Sequence, residues 1–171
     1  MGKKIVLILM ALTLSVTSFA QFENGKKYLS ATLSGLNVDF TGAEKWKFDI
    51  AARGGYMVWD NWMALATVGY SYRKEGRKSF TIGAGARYYV IQNGLYLGLG
   101  ADYQHLDYGG NTVDDFMPNI HIGYAFFLSK TVTIEPELYY KQSLNDHSNY
   151  SDAGFRIGIG VYLDEVFPKL K

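Results

Sequence analysis

From Lys27 onward the chain alternates apolar and polar side chains over stretches of ten or more residues. The sharpest sets Phe80, Ile82, Ala84, Ala86, Tyr88 and Val90 on one side and Thr81, Gly83, Gly85, Arg87 and Tyr89 on the other. A period of two belongs to a β-strand with unlike faces. The pattern predicts eight strands, at 27–39, 46–58, 62–73, 79–91, 95–104, 118–128, 131–141 and 154–163. Strands of soluble proteins usually run about five or six residues, whereas a strand crossing a bilayer needs about nine to eleven. These segments fit the longer figure.

The apolar side can be followed from strand to strand. It runs through Ile50, Tyr56, Trp62, Val68, Tyr70 and Tyr72. It continues through Leu97, Leu99, Tyr103, Ile120, Ile122, Ile134, Leu138, Phe155, Ile157 and Ile159, and carries no Asp, Glu, Lys or Arg. The opposite side carries Lys47, Asp49, Arg53, Arg87, Asp102, His121, Glu135, Glu137, Lys141 and Arg156. A Lys or Arg facing lipid at mid-bilayer costs about 2–4 kcal/mol, so the charged side must face inward. The expected fold is all-β: an eight-stranded antiparallel up-and-down transmembrane β-barrel. Its lumen should be filled by an ion-pair network of Arg53, Arg87, Asp102, Glu135, Glu137 and Arg156, with the two glutamates meeting the arginines across the interior. Glycines on that side (Gly83, Gly85, Gly98, Gly100) make room for Tyr89, Tyr96, Tyr139 and Tyr162. Such a barrel is plugged by its own side chains. The inverted arrangement, a soluble barrel with the apolar side inward, would overfill the narrow interior of eight strands.

Two further patterns support a bilayer. With strands alternating in direction, outward aromatics fall at two levels: Trp46, Tyr70, Tyr72, Phe80, Tyr103, Tyr140 and Phe155 at one rim, Tyr56, Trp62, Tyr88 and Phe126 at the other. Amphipathic rings prefer the headgroup level. The connections also alternate in length. Asp60-Asn61, Gln92-Asn93-Gly94 and Ser129-Lys130 are tight turns, whereas 40–45, 74–78, 105–117 and 142–153 are longer. Short turns on one side and long loops on the other are the habit of transmembrane barrels. In the first strand the phase flips between Leu33 and Leu36, which predicts a bulge near Ser34-Gly35. Pro136 falls inside a strand, where it removes a ladder donor.

The first twenty residues read differently. Lys3 and Lys4 precede the apolar run from Ile5 to Leu14, and Ser18 and Ala20 are the small residues of a cleavage site before Gln21. Residues 1–20 are expected to be a signal peptide and residues 21–171 a single barrel domain. Removing the leader takes the net charge from +1 to −1. That balance argues against a nucleic-acid partner. There is no cysteine, hence no disulfide framework.

The Ser-Phe-Ala-Gln leader end, Gly-Ala-Gly-Ala-Arg-Tyr-Tyr at 83–89, Gly-Leu-Gly at 98–100 and Phe-Arg-Ile-Gly-Ile-Gly-Val-Tyr-Leu at 155–163 carry a resemblance. Together they resemble the small eight-stranded outer-membrane β-barrel superfamily of OmpX/Ail-like and OmpA-barrel-like proteins. The likeness is strongest to the single-domain barrels of Bacteroidetes-type bacteria. It implies an integral outer-membrane protein, inserted by the barrel-assembly machinery and monomeric; the even strand number and the alternating loop lengths put both termini on the periplasmic side. Outer-membrane lipids and lipopolysaccharide are the implied partners. One departure is that Asp164–Lys171 extends past the last strand.

Candidate chemistry is sparse. Arg73, Lys74, Arg77 and Lys78 form a basic loop suited to lipid phosphates. No cofactor, metal site or catalytic residue is expected, and a structural or surface-interaction role through the loops is the favoured reading. Two alternatives are weaker. Asp146-His147-Ser148-Asn149 faintly echoes lipid A deacylases, but neighbouring strand residues point to opposite faces, so His147 does not reach Ser148. His105, Asp107, Asp114 and Asp115 at a barrel mouth offer cation ligands without a defined geometry.

Overall fold

The computed structural model describes residues 22–38, 47–73, 78–90, 93–107, 112–145 and 151–163, with only the backbone at 34–38, 47, 48 and 73. The predicted signal peptide and the 164–171 tail lie outside the described residues. The strands are β1 (Lys27–Val38), β2 (Lys47–Trp59), β3 (Trp62–Arg73), β4 (Lys78–Tyr89) and β5 (Leu95–Asp107). There follow β6 (Thr112–Tyr124), its two-residue continuation β7 (Phe126–Phe127), β8 (Val132–Lys141) and β9 (Asp152–Leu163). Each pairs antiparallel with its neighbour; β1 pairs with β9 and β6 with β8, which closes the sheet on itself. With β7 counted as part of β6, the molecule is a closed eight-stranded barrel.

The side chains obey the predicted alternation. Leu99, Ile120 and Ile159 are 62%, 61% and 58% exposed, while the inward-facing Arg87 is 0% and Glu137 2% exposed. Tight turns join the strands at one end. Asn61 takes a left-handed φ of 66° in the Asp60-Asn61 turn, and Gly94 a φ of 94°. Asn and Gly tolerate that conformation, which tight hairpins require.

One expectation is corrected. Residues 105–117 were expected to form a loop, yet β5 continues to Asp107 and β6 begins at Thr112. The alternation persists there, with Leu106, Asp115 and Met117 buried and His105, Asp107, Asp114 and Phe116 exposed. What ends is the requirement that the outer side be apolar, because this part of the hairpin rises above the aromatic rim. Phe116, paired with Tyr103, joins that rim.

The two irregularities have separate causes. The register of β1 against β9 shifts by one between Leu33 and Leu36. This lets Leu29 and Ala31 and, later, Leu36 and Val38 keep pairing with β9 in spite of the change of phase. Pro136 explains a break. Even-numbered residues of β6 and β8 bond across their shared seam, as in Leu128 N–H to Val132 O (2.8 Å) and Gln142 N–H to Pro118 O (2.9 Å). Pro136 belongs to that set and has no N–H to give Tyr124. The ladder therefore stops at Gly123/Glu137 and resumes at Phe126/Ile134 without a change of register. Pro118 ends the same ladder at its other side, after Asn119/Lys141.

Candidate functional site

The lumen is lined in three layers. At the turn end, Tyr28, Met57, Met63, Tyr89, Tyr96 and Tyr162 are buried together with Phe22, which precedes β1. Gly25, at φ 92°, turns the segment back across the mouth. Asn61 N–H donates to Phe22 O (2.8 Å) and Gly25 N–H to Met57 O (2.9 Å). The Phe22 ring stacks on Tyr89 with centroids 3.9 Å apart and meets Tyr162 edge-on at 5.6 Å. Phe22 gave no signal in the alternation, because it lies before the first strand and its neighbours are polar.

The middle layer is ionic. Glu137 Oε2 accepts from Arg53 Nη1 (2.9 Å), Arg87 Nη2 (3.2 Å) and the Tyr96 hydroxyl (3.0 Å). Its Oε1 accepts from Arg53 Nη2 (3.2 Å) and from both Nε and Nη2 of Arg156. Glu135 sits one step toward the turns. It accepts from the Tyr28 hydroxyl (2.6 Å), Arg87 Nη1 (3.0 Å), Thr133 Oγ1 (2.8 Å) and the Tyr162 hydroxyl (3.2 Å). Arg87 also lies over the Tyr96 ring at 3.8 Å, and Arg156 over Tyr139 at 4.6 Å. Strand geometry makes this possible: Glu135 and Glu137 are two apart on β8 and so point the same way. Their tyrosine donors, Tyr28 on β1, Tyr96 on β5 and Tyr162 on β9, also lie on the inward side of their strands, a signal the sequence carried but which reads equally well as bulk.

Asp102 is also buried, but its partner is Lys141 Nζ at 2.7 Å rather than an arginine of the central cluster. The expected six-membered network is thus a cluster of five with a separate pair beside it. Lys141 reaches Asp102 from the end of β8, past Asn119 on β6. The glycines make these approaches feasible. A Cβ on Gly83 would lie 2.0 Å from Asp102 Oδ1, and one on Gly98 1.9 Å from His121 Nε2. His121 is buried, with no hydrogen-bond partner on either ring nitrogen among the described residues.

Toward the loop end the lining becomes polar. Thr32, Asp49, Ser71, Thr81, Gln104, Tyr139, Lys141 and Asp152 surround a cavity of about 50 Å³. It sits above the ionic layer. Below that layer, Tyr89, Tyr96 and Phe22 are fully buried.

The remaining candidates are scattered. His105 Nδ1 and Asp114 Oδ1 are 2.6 Å apart on the outer side, both exposed. Asp115 points inward and accepts from Ser143 Oγ at 2.5 Å. The suggested cation ligands therefore face opposite sides of the wall. Among the described residues no group of three or more His, Asp or Glu is placed to hold a metal ion. In the basic loop, Lys78 is exposed at the rim beside Tyr72 and Asp107, and Arg73 is described by its backbone. Lys74, Arg77 and the stretch Asp146–Asn149 lie outside the described residues.

No family model matches the sequence, and no curated protein matches it. Solved structures do. The N-terminal β-barrel domain of Pseudomonas aeruginosa OprF aligns over 82% of this chain and 98% of its own, at 13% identity and a TM-score of 0.61. Neisserial surface protein A aligns over 81% and 97%, at 17% identity and a TM-score of 0.58. The Yersinia pestis outer membrane protein Ail, solved in a phospholipid bilayer nanodisc, aligns over 82% and 100%, at 12% identity and a TM-score of 0.54. At such identities the likeness concerns architecture, and it extends over nearly the whole of each partner. The chain has the fold of the small eight-stranded outer-membrane β-barrels.

Proposed function

We propose that this chain is an integral outer-membrane β-barrel with a plugged lumen, serving as a structural or surface-interaction protein through the loops at its long-loop end. One observation carries the reading: the barrel is inside out by the standards of a soluble protein. Its outer side is a continuous belt of Leu, Ile, Val and aromatic side chains, while its arginines and glutamates are buried. Soluble monomers rarely expose apolar patches beyond a few hundred Å², and a belt around the barrel exceeds this. Hydrocarbon is the solvent in which this arrangement costs least.

The plug supports a non-conducting role. The five-residue ionic cluster and the aromatic layer below it fill the cross-section. Function then falls to the loops, which a rigid scaffold presents to the outside. The sequence puts four cations, Arg73, Lys74, Arg77 and Lys78, in one connection on the long-loop side, a composition suited to the phosphates of outer-leaflet lipid. Arg forks and Lys ammonium groups both bind phosphate. A periplasmic placement of both chain ends fits this reading: the strand number is even, and β1 begins and β9 ends on the turn side.

The test is purification followed by reconstitution. The protein should need detergent to stay monodisperse, should migrate differently on a gel before and after boiling, and should show no nanosiemens-scale conductance in planar bilayers. Steady channels of that size would overturn the plug. A monodisperse protein in plain buffer would overturn the membrane reading itself.

A further inference from the structure

A groove of about 670 Å³ lies outside the lumen, on the bilayer-facing side, running from Trp62 to Tyr140 among the described residues. Its course follows from the register. Trp62 pairs with Tyr88, Tyr88 with Leu97, Leu97 with Ile122 and Ile122 with Leu138. Beside this row runs a second, Ala86 to Leu99 to Ile120 to Tyr140. Rows of paired residues run perpendicular to the strands. Barrel strands tilt by about 35–45°, so the rows climb diagonally across the membrane. Trp62 opens β3 at the turn end, and Tyr140 stands next to last in β8 at the loop end. The groove therefore joins the two aromatic rims. It crosses five strands about 4.8 Å apart, or roughly 19 Å.

The two ends differ. The Tyr140 hydroxyl donates to Gln142 Oε1 at 2.6 Å and is satisfied within the protein. Trp62 and Tyr88 pack ring to ring at 4.9 Å, both exposed, and neither the indole N–H nor the phenol hydroxyl has a protein hydrogen-bond partner among the described residues. An amphipathic occupant thus finds polar anchors at the turn-side rim and apolar lining beyond it. Ala86 provides the depth, flanked by the larger Leu99 and Tyr88.

We propose that this groove holds one acyl chain of a phospholipid from the turn-side leaflet. The ester and phosphate oxygens accept hydrogen bonds from Trp62 Nε1 and the Tyr88 hydroxyl, and the chain runs past Ala86 toward Tyr140. This rests on the membrane reading above. It adds that lipid contact is uneven around the belt, with one lipid held longer than its neighbours.

The test uses full-length protein in nanodiscs of palmitoyl-oleoyl phosphatidylethanolamine, with native mass spectrometry after gentle release. Wild type should retain one phospholipid. Ala86→Trp, which fills the groove, and the pair Trp62→Phe with Tyr88→Phe, which removes the donors, should each lower the lipid-bound fraction about tenfold. Ile159→Trp, elsewhere on the belt, should leave it unchanged. A heat-modifiable band for every variant establishes folding. If wild type inserts and shifts on boiling yet retains no lipid, or if Ala86→Trp behaves as Ile159→Trp does, the groove proposal falls while the membrane reading stands. A lipid-free mass of two chains, lost in Ala86→Trp, would replace the lipid by a second copy of this protein. Failure of wild type to enter nanodiscs or to shift on boiling would sink both.

Discussion

Replacing Glu137 by alanine should be the most damaging single change in the lumen. Six donor atoms converge on this carboxylate, from Arg53, Arg87, Arg156 and Tyr96. Arg87 retains Glu135 in the variant, but Arg53 and Arg156 have no other carboxylate within ion-pair distance among the described residues. Removing one partner of a buried ion pair costs about 3–5 kcal/mol, chiefly because the other charge is left desolvated and unmatched. Here two guanidinium groups are left, so the loss belongs at the upper end, about 4–5 kcal/mol. That is roughly three decades in the folding constant. Single domains have only about 5–15 kcal/mol to lose, so the variant should remain measurable but close to unfolding. Urea titration in lipid vesicles, read by the shift between folded and unfolded gel bands, gives the free energy. Glu137→Gln, which keeps the shape and one acceptor oxygen, should lose about half as much. Adding Arg53→Met to Glu137→Ala should restore part of the loss, with a coupling of at least about 1 kcal/mol. If Glu137→Ala unfolds within about 1 kcal/mol of wild type, and Arg53→Met adds to it independently, the ionic layer does not hold the barrel as argued.

Two other outcomes follow from local geometry and charge. Gly85→Ala would put a Cβ 2.6 Å from the Leu99 carbonyl oxygen and 3.1 Å from Gly100 Cα. These are backbone atoms of a paired strand, so the same urea assay should show a loss of about 1–3 kcal/mol. Gly54→Ala meets nothing within 4 Å and should be neutral or stabilising by about 0.5 kcal/mol, so equal effects at the two sites would contradict the packing account. Replacing Arg73, Lys74, Arg77 and Lys78 together by glutamine should reduce lipopolysaccharide co-purification, each cation near an anionic lipid surface contributing about 1 kcal/mol. Unchanged lipid content would leave the basic loop as an ordinary solvated hairpin.

The alternation of side chains was enough to determine which face of each strand meets lipid, from Ile50 on β2 to Leu163 on β9. The reason is that a period of two is local: it needs no knowledge of what the strand packs against. The same rule sent Arg53, Arg87, Glu135, Glu137 and Arg156 inward, because lipid tolerates charge so poorly. It misjudged 105–117, where the outer side leaves the bilayer and loses its apolar requirement although the strands continue. Tertiary structure alone decided which inward groups meet. Lys141 reaches Asp102 because the barrel closes β6 onto β8, and Glu137 gathers three arginines because β2, β4 and β9 curve around it. The place of Phe22 was likewise invisible in the chain, since the mouth it fills exists only once the sheet has closed. The register likewise exposed the fault made by Pro136 and the diagonal groove from Trp62 to Tyr140. Both depend on the offset between strands, and a pattern read along one strand at a time does not contain it.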